Sequence, residues 1–540
     1  ELNSSQNKML RILGVDNDFV NQGWLCDKGR YNFEYLNSEK RLKVPLKNVN
    51  SHFEEAEIQD VYSELSEIIK DRKTKVNFFL GSNLTNEDYT AFREFSKSIS
   101  DNKQSFYIND DLLYKGHFDQ DNELAKIDDL NSSDAIVVWA EDLKEKLPVL
   151  YLRVRQAVKK GVKLIVFGHT NETLSDIADV FYGKETVSES FEIIKDVSKL
   201  KEVKNYVIDK NVTAIIGKST PQQSDASVSE LFEFLKSNAN TKILNAYTKG
   251  NTYGAFQTLE NIKGTKDFVE DISSENTDLL FIVGADPVGR SFYSNKITSI
   301  LQNLKTVVSL DLFIHETAEL SNYVIPISST LGEKEGTFTN IEFRTSRIDK
   351  LVPSPGQTIS DWEFITSLMN FAGLSNNLNS LEDLNNKAFE GIEASSRPVF
   401  DNLDKPSNLD GIINIDNPTI NTSENNLSKS LFYVGEKLYG DSVTERHSES
   451  ISLLGSKKFI EVSQNIVDKF NLTSEKCSMV QGDLEVTVSY KVNNNLPDYL
   501  IYIPINRREL NKFDFSREIT ILPSRVKEAL NVNWVNNCIN

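Results

Sequence analysis

Cys26 has the side chain and the neighbours to ligate iron. It stands in VNQGWLCDKGRYNF (Val20 to Phe33), where Lys28 and Arg30 put positive charge beside the thiol. Such neighbours favour the thiolate, which is the form that binds iron. One cysteine between cations is more often only a cysteine, so the segment alone does not make a site. Cys477 and Cys538 lie far downstream without neighbouring ligands and read as unreactive thiols. So sparse and odd a set argues against a disulfide framework and for a reducing compartment. His52, His117, His169, His315 and His447 are scattered, with no metal-site spacing. His315, beside Glu316 at a helix start, reads as a surface or hydrogen-bonded residue rather than a catalyst. Neither a nucleophile elbow nor a GxxxxGK[ST] phosphate loop is present.

Any such site needs a scaffold, and the clearest unit runs from Asp134 to Gly168. AIVVW (Ala135 to Trp139) is apolar without alternation, as in a strand buried on both faces. Leu150, Val154, Ala157 and Val158 then form one helical stripe. Lys159 and Lys160 complement the helix dipole, and Gly161 can adopt the left-handed stop. KLIVFG (Lys163 to Gly168) completes a strand–helix–strand crossover, expected to be right-handed and parallel. FFLGS (Phe78 to Ser82), TAIIG (Thr213 to Gly217), DLLFIVGADP (Asp278 to Pro287), TVVSL (Thr306 to Leu310) and NYVIPI (Asn322 to Ile327) repeat the strand pattern, and Ser227 to Leu235 repeats the helix. Leu403 to Ser430, rich in Asn, Ser and Asp, reads as a linker or surface excursion. Beyond it the period changes: LEVTVSYKV (Leu484 to Val492) alternates, and KFIEV (Lys458 to Val462) and YLIYIPI (Tyr499 to Ile505) are further strands.

The chain carries 79 acidic and 60 basic residues, a net charge of −19. That field repels phosphate backbones and anionic lipid, which argues against nucleic acid and against direct membrane-surface binding. No apolar run approaches the ~20 residues of a membrane span, so direct membrane insertion is not expected. The first residue is Glu1 and no basic-then-apolar signal precedes the fold, so a processed start or a fragment is expected.

GWLCDKGRY closely resembles the fourth-cysteine segment of the four-iron domain that opens molybdopterin-type oxidoreductases, most closely the version in the iron–sulfur subunit of that type in respiratory NADH-quinone oxidoreductase, complex I. In that family three more cysteines, spaced CxxCxxxC, lie upstream, which would place them before Glu1. KMLRILGVDND (Lys8 to Asp18) resembles the β-hairpin leading into this cysteine. LTNEDY (Leu84 to Tyr89), LPVLYLRVRQAVKKGVKLIV (Leu147 to Val166) and PGQTISDW (Pro355 to Trp362) resemble further family segments. ETAELSNYVIPISSTLGEKEGTFTNIEFR (Glu316 to Arg344) resembles the family's most specific signature, with Phe343 where glycine is usual.

The resemblance implies an α/β fold with doubly wound parallel sheets and a small β-rich, double-psi-barrel-like C-terminal domain. The expected divisions are residues 1–45 for the remainder of the iron–sulfur domain, 46–400 for the α/β body, 401–450 for a linker and 451–540 for the β-rich domain. It further implies a 4Fe-4S cluster with Cys26 as one ligand, and Lys28, Gly29 and Arg30 around it. No cysteine or selenocysteine suits molybdenum in the body, and Phe343 would narrow a loop built to approach a pterin phosphate, so molybdopterin is expected to be absent. EKEGTFTN (Glu333 to Asn340) is then structural, with Gly336 making a turn and Thr337 and Asn340 bonding backbone. The implied function is an electron-transfer and scaffold subunit of the peripheral arm of a proton-pumping NADH:quinone oxidoreductase, not catalytic alone. Its expected partners are the NADH/flavin subunit and the quinone-side subunits, and its expected place is the cytoplasmic face of the inner membrane. A live molybdopterin enzyme resembling formate dehydrogenase and a purely structural scaffold are the alternatives.

Overall fold

The computed structural model describes residues 1–71, 73–99, 105–108, 124–140, 142–169, 173–184, 196–217, 234–235, 238, 240–390, 432–455, 459–496, 501–504, 509–514 and 519–523. The expected linker 403–430, most of the Ser227 to Leu235 helix, Cys538 and His117 lie outside these. Two α/β units and a β-rich unit make up what is described. The first is an eight-stranded sheet in the order Ile262–Lys263, Phe106–Ile108, Val76–Leu80, Leu279–Val283, Thr306–Asp311, Tyr323–Pro326, Leu46–Val49, His52–Glu55. Its first six strands are parallel, and the last two form an antiparallel hairpin on the edge. The second sheet is inserted in the chain between Phe106–Ile108 and Ile262–Lys263. It is parallel throughout, in the order Thr241–Asn245, Val212–Ile216, Ala135–Trp139, Lys163–His169, Val180–Lys184.

The crossover expected from residues 134–168 is present. Ala135 pairs with Lys163 and Trp139 with Phe167, in parallel. The helix Pro148–Lys159 between them begins at Pro148, where no amide hydrogen is missed, and buries Leu150, Val154 and Ala157. Gly161 follows it with φ +103°. In the first sheet the apolar runs make an aromatic core: Phe78 stacks on Phe281 and Phe106 and meets Phe92 and Phe95 edge-on. Parallel strands with helices on both faces have no solvent side, which is why these runs are apolar without alternation.

The C-terminal sheet is mixed, in the order Phe432–Gly435, Ile501–Pro504, Phe459–Val462, Leu484–Val492, Lys476–Gln481, Thr520–Pro523. Val486 and Val488 are buried as the alternation requires, while Val492 at the strand end is exposed.

Gly81 and Gly284 end adjacent strands and cross closely. The Gly81 amide donates to Val283 O at 2.7 Å, and a Cβ on Gly81 would sit 2.1 Å from Gly284 O. Gly81→Ala is therefore expected to destabilise the chain by about 1–3 kcal/mol, because backbone rather than a flexible side chain must give way. A urea midpoint equal to the parent's would contradict this.

Candidate functional site

The first sheet changes direction of winding between Val76–Leu80 and Leu279–Val283. From Val76–Leu80 the next strand, Phe106–Ile108, lies on one side, while the strands after residue 279 build out on the other. Ligands in open α/β sheets bind outside the carboxyl ends of the strands at such a point. A half-open cavity of about 160 Å³ lies there. Its floor is the strand ends Gly81, Ser82, Gly284, Asp286 and Asp311, and Ser442 and Thr444 form one wall. Four buried polar atoms of lining residues have no hydrogen-bond partner: Ser82 Oγ, Asp286 Oδ2, Arg290 Nε and Asp361 Oδ1, though Asp286 Oδ2 lies 3.6 Å from the Arg446 guanidinium.

Lys334 lies beside the cavity, fully buried. Its ammonium donates to Asp88 at 2.6 Å and to Asp361. Burial alone would lower its pKa, but Asp361 and Asp88 outweigh that and raise it, so it stays charged. One cation thus serves two carboxylates. Burial and the neighbouring Asp88 push Asp361 up to about 7 against the pull of Lys334.

His315 is buried between two more aspartates, with Nδ1 3.2 Å from Asp286 and Nε2 3.1 Å from Asp311. Burial would lower its pKa, yet the two carboxylates raise it to about 10. Asp286 is correspondingly held below the ordinary carboxylate range, since His315 and its hydrogen bonds overcome burial. His315 is thus hydrogen-bonded, as one branch of the expectation had it, but it is not at the surface.

EKEGTFTN ties the surrounding elements together. Glu333 takes a two-pronged bond from Arg41, 2.7 Å on each arm. Glu87 accepts from the Thr337 amide and hydroxyl at 2.8 Å, and Asn251 accepts from the Thr339 amide at 2.7 Å. Asn340 Oδ1 accepts from the amides of Glu342 and Arg344. Gly336 opens the strand Gly336–Thr339 rather than making a turn. It is required because a Cβ there would lie 2.5 Å from Thr85. Phe343 has a left-handed backbone, φ +58°, and packs its ring 4.1 Å from that of Tyr253. It is not among the residues lining the cavity, so the expected narrowing does not act there.

Cys26 caps the helix Asp27–Tyr31, and its Sγ accepts from the Gly29 amide at 3.4 Å. A Cβ on Gly29 would meet the end of the Leu25 side chain at 2.8 Å, a contact that Leu25 can relieve by moving. The Arg30 amide closes the turn onto Cys26 O at 2.9 Å. Lys28 reaches away from Cys26 to Glu445, 3.1 Å off and fully buried. Burial would raise Glu445, but Lys28 and Arg290 bring it down to about 2. Glu445 also closes a capping box with Ser442, so the helix carrying Cys26 is one ion pair from a wall of the cavity. Cys477, by contrast, is buried in the C-terminal core, with its thiol pushed up to about 11.

Two parallel α/β units and a mixed β-rich C-terminal unit, with a cavity at the switch point of the first, define an α/β protein of the molybdopterin-oxidoreductase type. The chain belongs to the molybdopterin oxidoreductase family, whose model matches residues 41–371. It is 23% identical over 469 residues to the F420-dependent formate dehydrogenase subunit alpha of Methanocaldococcus jannaschii, covering 70% of this chain and 69% of that one. It is 21% identical to the NADPH-Fe(3+) oxidoreductase subunit alpha of Geobacter sulfurreducens, covering 98% and 73%. To the NADH-ubiquinone oxidoreductase 75 kDa subunit of Reclinomonas americana it is 21% identical, covering 70% and 56%. Acetylene hydratase from Pelobacter acetylenicus shares the fold, with a TM-score of 0.63 at 13% identity over 89% of this chain and 87% of that one.

The family's name implies a pterin cofactor, and among the described residues this cavity by itself does not enclose one. The cavity is smaller than the ~300–1,000 Å³ of pockets that enclose drug-sized ligands, and no cysteine lines it. Among the described residues no group of three or more His, Cys, Asp or Glu is arranged for a metal ion. Cys26 can supply one thiolate to a cluster and no more. No described helix is long and apolar enough to cross a membrane.

Sequence reasoning missed the cavity's polar atoms. The glycine turn of GADP at the end of Leu279–Val283 was the available signal for Asp286, but the switch point that gives it meaning depends on strand order. Lys334→Met would leave two buried carboxylates without their cation, and is expected to cost about 3–5 kcal/mol. Asp361 has a raised pKa, so its contribution to stability is complete below the ordinary value of about 4 and lost as pH rises through about 7. Asp361→Asn should flatten the fall in chemical-denaturation stability across that window, and an unchanged slope would refute the assignment.

Proposed function

We propose that this chain is an iron–sulfur electron-transfer and bracing subunit of a multi-subunit oxidoreductase, of the type found in the peripheral arm of NADH:quinone oxidoreductase. The observation that carries this reading is the pairing of a helix-capping thiol at Cys26 with a cavity too small for a pterin dinucleotide and lined by no thiol. Cys26 would hold one corner of a 4Fe-4S cluster, and its other ligands would lie on chain upstream of Glu1. A bound cluster supplies one-electron storage. The Gly29 amide would hydrogen-bond the Cys26 sulfur, while Lys28, paired with Glu445, would fix the helix that carries Cys26 and add little net charge at the sulfur. That hydrogen bond favours the reduced, more negative state. The partners in this reading are the NADH/flavin subunit and the quinone-side subunits, with the assembly held at the cytoplasmic face of the membrane.

A second reading is a molybdenum enzyme of formate-dehydrogenase type. The relatives favour it: likeness to formate dehydrogenase alpha subunits extends over more of the partner chain than likeness to the 75 kDa subunit. Elemental analysis of the native assembly separates the two. The first reading expects iron and no stoichiometric molybdenum or tungsten. About one such metal per chain would hand the function to the second.

Within the first reading, Cys26→Ala in the assembled complex should abolish or reshape one low-temperature EPR signal while the others persist. Turnover should fall only as far as assembly is impaired, because family resemblance puts this cluster off the main electron path. Superimposable spectra of parent and variant, at equal subunit content, would reject Cys26 as a ligand.

A further inference from the structure

Residues 436–452 lie across three parts of the molecule. At the inserted unit, Lys146 pairs with Glu436 at 2.8 Å, and the Leu438 amide donates to Glu145 at 2.8 Å. At the first unit, Arg446 reaches both oxygens of Glu316, at 3.2 and 3.0 Å. The same stretch runs along the segment that follows Cys26. There Glu445 meets Lys28, and the Ser448 hydroxyl accepts from the Tyr35 amide at 3.2 Å. Ser450 donates its amide and hydroxyl to Glu34, at 2.7 and 2.5 Å.

Most of these contacts are polar. The apolar share is small: Val443 packs beside Met9 and Phe33, His447 stacks 3.8 Å over Phe313, and Ile451 is buried. Separating the two sides returns the paired charges to water, so the ion pairs fix the arrangement more than they stabilise it. The local structure on each side is short. Val443–Arg446 and Glu449–Gly455 face the helix Asp27–Tyr31 and the 3₁₀ turn Asn32–Asn37. Helices of one or two turns do not persist alone in water. Each side therefore keeps its form only while the other is docked, and the two must come apart together. The strand Leu279–Val283 is different, since it is buried along its whole length inside the first sheet. Its amides open only with the body.

We propose that residues 436–452 are a clamp that docks and releases as one cooperative piece, and that its release frees the helix capped by Cys26 while both parallel sheets stay folded. The clamp does not depend on the electron-transfer reading, because every contact that makes it is between residues of this chain.

Hydrogen exchange of the full native chain, read by mass spectrometry on peptides spanning 28–37, 444–452 and 279–283, tests this. In the parent the first two peptides should share one opening, roughly 100-fold or more above that of 279–283. Glu436→Gln weakens the tie to Lys146, a contact that involves no residue of 28–37. It should nonetheless speed exchange in both 28–37 and 444–452 by roughly tenfold, leaving 279–283 as in the parent. The shared opening of the parent is read without any variant, so the test survives poor folding of Glu436→Gln. Separate openings of 28–37 and 444–452 in the parent would overturn the proposal. So would a Glu436→Gln chain in which 28–37 exchanges at the parent's rate, or in which 279–283 accelerates equally. Loss of the Cys26-dependent EPR signal in Cys26→Ala, in contrast, concerns only the electron-transfer reading.

Discussion

The ion group of Lys334, Asp88 and Asp361 is the constraint on which the rest of the body depends. Asp88 opens the helix Asn86–Ile99, where its carboxylate and the Thr85 hydroxyl cap one another's amides. Asp361 opens the helix Asp361–Phe371, and its neighbour's amide, that of Trp362, also bonds Asp88. One ammonium therefore joins the starts of two helices to the strand Gly336–Thr339. In a low-dielectric interior such a group is stable only as a whole, since removing one charge leaves another unpaired. The cavity beside it inherits the imbalance of two acids and one base.

The same segment extends the constraint outward. Glu333 holds Arg41 and so fixes the chain that leads from the Cys26 region into the sheet. Tyr35, in that chain, bonds Ser329 and lines the cavity, and burial pushes its hydroxyl up to about 12. On the far side Glu342 accepts from the Ile127 amide, which brings the inserted sheet into the network. Residues 329–344 thus touch the N-terminal segment, both α/β units and the cavity. A loop with so many buried polar partners gives the molecule one arrangement rather than several, because a half-made network costs more than an apolar contact.

The parallel crossover at Ala135–Trp139 and Lys163–His169 is legible in the sequence because its information is local. A buried run, an amphipathic stripe and a glycine stop lie within one short stretch, and handedness follows from strand twist. Cys26 and Lys28 are legible as chemistry, though the partner of Lys28, Glu445, lies too far along the chain for periodicity to find. His315 shows where such reading ends. Its neighbour Glu316 suggests a helix start, which is correct, but burial between Asp286 and Asp311 depends on two strand ends meeting in space. Phe343 reads from sequence as an obstruction at a cofactor loop. The loop keeps its left-handed turn at a cost of about 1–3 kcal/mol, and the ring is accommodated against Tyr253 in the core of the inserted sheet instead.

These features explain why the family's motif is held by the fold itself, whatever the cavity contains. Glu333, Lys334, Thr337 and Asn340 each meet a buried partner, so each is retained by folding whatever the cavity holds. A stepwise loss of any one strands a charge or an amide in the interior. Replacement by apolar side chains would require several changes at once. The motif that most specifically marks the family is therefore the part least able to report on chemistry. The residues free to report on chemistry are those the network holds least: Ser82 on the floor, whose hydroxyl has no hydrogen-bond partner, and Cys26 on its own short helix. Function in this body should be sought where the hydrogen-bond network stops, not where it is densest.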